Sequence, residues 1–307
     1  MGCRGKWRLY DGAVVNTHRR PEPAGAGLLS FADATMHTQM IRSAPGFGAA
    51  AVLMARGLNE NNEAGRPLNL LMSDRGKIFC LLAALHLHAH PDRKGHGLTP
   101  GRLAALCVEA EMCSRGRAFA VLGALRWAGF IKPVEGAGRG VGATLAPTEK
   151  MLETLRERWI DQMAILALLL PRGVTARDRL LADPSFVLEI ANGFFHVYRT
   201  GYRGLDHAPR LKRLAEHKNA LTLLVDSYLA EIDGLAVAPI AAMSRKLGVS
   251  RAQVRKILQI SLEDGLLASS RDGSALAPTP LLHDEVNNLL AVIMTYFSLA
   301  AANALGA

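Results

Sequence analysis

From Ser73 onward, apolar residues recur along this chain at helical spacing. Ser73-Asp74 can cap a helix whose Ile78, Leu81, Leu82 and Leu85 share one face. Thr99-Pro100 opens a second helix, a cap followed by Pro at the first helical position, with Leu103 and Leu106 inward. Ser114 opens a third, with Ala118, Val121, Leu122 and Leu125 as its stripe. Phe130–Val134 and Ala143–Ala146 then read as two short extended runs around a Gly-rich tip that carries Arg139, which predicts a hairpin. Beyond it a long helix continues through Trp159 to Leu170, where Pro171-Arg172-Gly173 breaks it, and Pro184 to His196 can hold another. Upstream, Pro21, Pro23, Pro45, Pro67 and Asn59-Glu60-Asn61-Asn62 interrupt any period. Residues 1–72 therefore read as an irregular, flexible N-terminal arm with a short helix around Phe31–Ile41.

The pattern then repeats. Ser114-Arg115 is matched by Ser250-Arg251, and Gly129-Phe130 by Gly265-Leu266, both 136 residues on (250 − 114 and 265 − 129). Leu145-Ala146-Pro147-Thr148 returns as Leu276-Ala277-Pro278-Thr279, and Leu103-Ala104-Ala105-Leu106 is paralleled by Ile240-Ala241-Ala242-Met243. The second copy is the cleaner one. Pro239 suits a first helical turn, and Ile240, Met243 and Leu247 form one face. Gly248 ends that helix, Ser250 caps the next, and Val254, Ile257, Leu258 and Leu262 give its stripe. Leu266–Ser269 and Ser274–Ala277 flank an Asp272-Gly273 turn, a hairpin signal. The first copy has no Gly in the corresponding turn; Glu109-Ala110-Glu111 stands there instead.

Two short helices joined by a tight turn and followed by a hairpin make a winged helix-turn-helix. The run IAAMSRKLGVSRAQVRKILQ, from Ile240, resembles the helix-turn-helix of bacterial regulators. The exit LAPTEKMLETLRERW, from Leu145, resembles that of the MarR family of winged-helix regulators. The resemblance covers about Ser73–Trp159 and, more weakly, Asn219–Ala302. That family makes its paired arrangement by dimerising, whereas here two copies lie in one chain. The expected fold is mainly α with small β-hairpin wings, two winged helix-turn-helix units in tandem. Residues 73–160 would form the first unit, 161–218 a helical connector with a basic segment, and 219–307 the second unit with a C-terminal association helix.

The second helix of such a unit can lie in a major groove. In the second copy its outward face offers Arg251, Gln253, Arg255, Lys256 and Gln259, of which Arg suits guanine and Gln adenine. Ser250 can donate to a phosphate while capping, Arg245 and Lys246 suit backbone contacts, and Arg271 sits at the wing tip, where a minor groove is in reach. The first copy offers a thinner set, Ser114, Arg115, Arg117 and the tip Arg139, with Arg126 and Lys132 further along and Glu109 and Glu111 repelling phosphate. Arg199, Arg203, Arg210, Lys212, Arg213 and Lys218 in the connector read either as a further phosphate-facing surface or as an ordinary solvated helix end.

Composition supports a polyanionic partner: 36 Lys+Arg against 27 Asp+Glu give a net charge of +9 over 307 residues. Four scattered Cys do not make a disulfide framework, and Cys107 and Cys113 read as buried, inert thiols in a cytoplasmic setting. His86, His88, His90 and His96 cluster, but Pro91 ends their helix and only Asp92 lies near to complete a ligand set, so no metal is expected. The apolar run Leu289–Leu305 carries Thr295, Ser298 and Asn303 and lacks basic flanks, which fits a buried or dimerising helix better than a membrane span. No Gly-rich phosphate loop, zinc-protease or nucleophile-elbow motif stands out, so no enzyme and no cofactor are expected. The expectation is a sequence-specific regulator that binds double-stranded DNA, with a homodimer through the C-terminal helix as a further possibility. Its alternatives are a tandem winged-helix adaptor of chromosome segregation and a plasmid-type replication initiator.

Overall fold

The computed structural model describes residues 31–61, 75–134, 136, 140–270 and 275–306. The chain is mainly helical, with two small antiparallel hairpins. Helices α1 (Phe31–Ser43) and α2 (Phe47–Asn61) come first. Then follow α3 (Arg75–Ala89), α4 (Pro100–Glu109), α5 (Arg115–Trp127), strands β1 (Ile131–Pro133) and β2 (Leu145–Pro147), and α6 (Glu149–Leu166). Helices α7 (Pro171–Ala182), α8 (Phe186–Arg199), the short α9 (Lys212–Ala215) and α10 (Ala220–Ile232) connect to a second series. That series is α11 (Ile240–Leu247), α12 (Arg251–Glu263), β3 (Leu267–Ser269), β4 (Leu276–Pro278) and α13 (Pro280–Leu305).

The internal repeat of the sequence is a repeat of structure. Ser114 Oγ accepts the amide of Arg117 at 3.3 Å, and Ser250 Oγ that of Gln253 at 3.1 Å, so each hydroxyl caps the helix that follows. In β1–β2 Lys132 faces Ala146, and in β3–β4 Ala268 faces Ala277. Thr148 Oγ1 donates to Gly129 O at 2.8 Å and accepts from Met151 N, which ties the hairpin to the start of α6. Thr279 repeats this arrangement, donating to Gly265 O at 2.8 Å and accepting from Leu282 N. The LAPT sequence thus recurs because it performs one local task twice: a strand, a Pro that ends it, and a Thr that caps the next helix.

Within residues 31–61, read as part of an irregular arm, α1 covers the short helix expected around Phe31–Ile41, and α2 is a second helix that was not expected. Ala34 and Ile41 of α1 and Phe47, Ala50, Ala51, Met54 and Ala55 of α2 are buried. The small residues of α2 give little periodic contrast in sequence, yet they let it lie close against α6, α10 and α13. The α1–α13 contact also carries a polar seam: Thr38 Oγ1 meets Tyr202 OH at 2.5 Å and Thr295 Oγ1 at 3.0 Å, and His37 Nε2 meets Ser298 Oγ at 2.8 Å.

Helix α13 is the axis of the packing. It lies against α8, α1, α7, α10, α2 and α6. Leu290, Met294, Phe297 and Ala301 of α13 are buried within the chain itself, Ile293 is partly buried against the same core, and one continuous apolar cluster runs from Ile41 to Ala301. By length and composition α13 can cross a bilayer, and 61% of its apolar window is buried inside the protein. Where α8 crosses it, Gly193 is needed for close approach: a Cβ there would lie 2.4 Å from Ala300 O.

Candidate nucleic-acid interface

Helix α12 buries Val254, Ile257, Leu258, Ile260 and Ser261 and turns Arg251, Arg255, Lys256 and Gln259 outward, with Gln253 half-buried at the edge. Arg251, Arg255 and Gln259 are spaced four apart and so form one line along the helix. Among the described residues no ion pair involves Arg251, Arg255 or Lys256, so their charge faces solvent uncompensated. Gln259 is engaged, donating to Glu263 Oε1 at 3.0 Å, and is not free to pair with a base as it stands.

The turn that presents α12 is fixed from several sides. Gly248 takes φ +60, Ser244 Oγ donates to Val249 O at 2.7 Å, and Asn219 Nδ2 donates to Leu247 O at 2.7 Å. On α11, Arg245 is exposed, whereas Lys246 Nζ is paired with Asp226 Oδ1 at 2.6 Å. The expected equivalence of these two cations therefore does not hold: one is open to a phosphate and the other is largely neutralised within the protein.

The connector cations are also partly spent internally. Arg213 bridges Glu263 at 2.8 Å and Asp264 at 3.2 Å, so it clamps the C-terminal end of α12. Lys212 pairs with Asp206 at 2.7 Å, and Arg203 Nη1 donates to Tyr198 O at 2.8 Å and Tyr202 O at 3.1 Å. Arg199, Arg210 and Lys218 remain exposed. Arg213 thus props the end of α12, which the run of charges in sequence could not reveal because Glu263 and Asp264 lie about fifty residues further along the chain.

In the first unit Ser114, Arg115 and Arg117 are exposed at the start of α5. The Arg115 guanidinium lies over the Phe119 ring, 5.7 Å from its centroid, inside the reach of about 6 Å for a cation–π contact. At the other end of α5, Trp127 is 86% exposed beside Arg126, Lys132 and Pro133. The wing-tip residues Arg139 and Arg271 lie outside the described residues.

Two features were not anticipated from the sequence. The first is a cavity of about 320 Å³ between α2, α3, α6, α8, α10 and α13, mostly apolar, with Asn59, Arg158 and Gln162 in its wall. Gln162 is 1% exposed, and neither of its amide atoms has a hydrogen-bond partner among the described residues; Arg158 Nη1 has none either. Burial alone pulls the Arg158 pKa down to about 10. The second is a meeting of three thiols, Cys80, Cys107 and Cys113, which the sequence scatters over thirty-three positions (113 − 80). Burial, with Cys80 beside it, pushes the Cys113 thiol up to about 11.

Of the histidine cluster, His86 packs inward, while His90 and His96 are exposed. His86 Nδ1 bonds Asn192 Oδ1 at 2.7 Å, and its ring stacks on Phe195 with centroids 4.0 Å apart. Burial lowers its pKa to about 4. Comparison with protein-family models, with curated proteins and with solved structures finds no match.

Proposed function

We propose that this protein is a sequence-specific transcriptional regulator of double-stranded DNA, built from two winged helix-turn-helix units in tandem. The observation that carries the reading is the outward face of α12, where Arg251, Arg255 and Lys256 stand without ion pairs among the described residues, on a helix whose turn is held by several hydrogen bonds. A helix so presented fits a major groove, and bidentate Arg contacts to guanine supply discrimination of about 1–3 kcal/mol each. Helix α5 offers fewer cations and acts as the weaker reader. The MarR-like sequence of the exit from β2 agrees with this assignment. Selection of bound genomic fragments at near-physiological salt tests it: a shared enriched sequence is expected, bound less tightly by Arg251→Ala and Arg255→Ala, and absence of any enriched sequence refutes it.

Trp127 favours a second reading for the first unit. An indole 86% exposed at a helix end is a typical anchor for a protein partner rather than a phosphate contact. On that reading the chain is a tandem winged-helix adaptor. Salt dependence separates the two: DNA binding through several phosphate contacts weakens with log salt by about 0.9 log units per contact, and a protein contact through Trp127 does not.

A further inference from the structure

Helices α3 and α4 and the turn leading into α5 bring three sulfurs to one point. Cys80 Sγ lies 3.4 Å from Cys107 Sγ and 3.6 Å from Cys113 Sγ, and all three sulfurs fall within 4.8 Å of one another. Cys80 and Cys107 are fully buried, and Cys113 is half-buried, which leaves one side open for entry. No His or carboxylate joins the group among the described residues.

The donor set restricts the occupant. Sulfur-only donors select thiophilic ions. A tetrahedral zinc site needs a fourth ligand, and no His or carboxylate supplies one among the described residues, so three sulfurs within 4.8 Å of one another suit a three-coordinate centre. Charge decides further. Three thiolates leave a net charge of −1 on a divalent ion and −2 on a monovalent one, and a buried net charge is costly. A trivalent centre leaves none.

We propose that Cys80, Cys107 and Cys113 form a three-sulfur binding site for trivalent arsenic. Loading is a condensation: As(OH)3 and three thiols give As(S-Cys)3 and three waters. Three As–O bonds break, three As–S bonds form, each thiol proton leaves in a water molecule, and nothing is oxidised or reduced. Cys113 directly precedes Ser114, the cap of α5, so the adduct ties the α4–α5 turn to α3. On the reading of α5 as a DNA-facing helix, which this consequence alone rests upon, loading alters how the first unit meets DNA.

The test uses the reduced full-length chain in a Cys3→Ser background, so that the three thiols are the only ones present. Titration with sodium arsenite should show one arsenic per chain by native mass spectrometry, loss of all three thiols to alkylation, and a near-ultraviolet sulfur-to-arsenic absorption. Cys113→Ser, at the half-buried position, should keep the parent circular dichroism and weaken binding by about tenfold or more, no less than the loss of an outer-shell partner costs a metal site. Unchanged alkylation overturns the site. Protection of only two thiols, or parental affinity in Cys113→Ser, overturns the three-sulfur geometry. Zinc binding more tightly than arsenite in a parallel titration overturns the choice of ion. These readouts involve no DNA, so their failure is distinguishable from failure of the regulator reading.

Discussion

Glu111 and Gly248 hold the same place in the two units, and both take a left-handed backbone, φ 52° and 60°. The tight turn between the paired helices demands this conformation in both. Gly meets it without strain, whereas a residue with a Cβ pays about 1–2 kcal/mol. Glu111→Gly should therefore stabilise the protein by about 1 kcal/mol, offset in part by the freer unfolded chain. Gly248→Ala should destabilise it by a similar amount. Thermal unfolding of both variants checks this; a lower melting temperature for Glu111→Gly contradicts it.

Gly193 lets α8 touch α13. A methyl group there would meet Ala300 O at 2.4 Å and Ala300 Cα at 2.7 Å, both backbone atoms of a helix held on several sides. Neither can yield without moving a helix, so Gly193→Ala should cost about 3 kcal/mol, at the upper end of ordinary overpacking. Chemical denaturation reads the loss directly.

Gln162 leaves both amide atoms unpaired at the cavity wall. Leaving a buried polar group unsatisfied costs about 1–3 kcal/mol, and an apolar side chain of similar size removes that cost. Gln162→Leu is expected to raise stability by about 1–2 kcal/mol, measured as a shift of the denaturation midpoint at unchanged slope.

Acid should loosen the fold over a defined window. Burial lowers the pKa of His37 and of His86 from 6.5 to about 4. The unfolded chain therefore binds more protons than the folded one between these limits, and stability falls as pH drops from about 6.5 towards 4. His86 contributes on the order of 2–3 kcal/mol to this loss, and His37, more open to solvent, contributes less. A pH series of melting temperatures should flatten in His86→Phe, whose ring keeps the stack on Phe195.

Arg245 and Lys246 are neighbours on α11 with different circumstances. Arg245 faces solvent, and Lys246 is held by Asp226 at 2.6 Å. On the DNA reading, Arg245→Ala should reduce the salt slope of binding by about 0.9, the share of one phosphate contact. Lys246→Ala should change the slope by clearly less. Equal slopes for the two variants would contradict this placement.

What the sequence determined was local. Ser114 and Ser250, Thr148 and Thr279, Pro100 and Gly248 announce caps and stops through chemistry that acts within four residues, so both helix pairs and both hairpins were legible. The outward face of α12 followed from the same periodicity. Only the tertiary structure decided which polar and apolar groups found distant partners. It made α2 out of part of the arm, because Ala50, Ala51 and Ala55 gain their meaning from the close packing they permit. It buried much of α13, whose apolar residues pack against α8 and α1. It paired Lys246 with Asp226 and Arg213 with Glu263, and it gathered three cysteines whose spacing in the chain signals nothing. Spacing in sequence governs a helix and its caps; charge compensation, burial and a three-sulfur site depend on residues that meet only after the chain has folded.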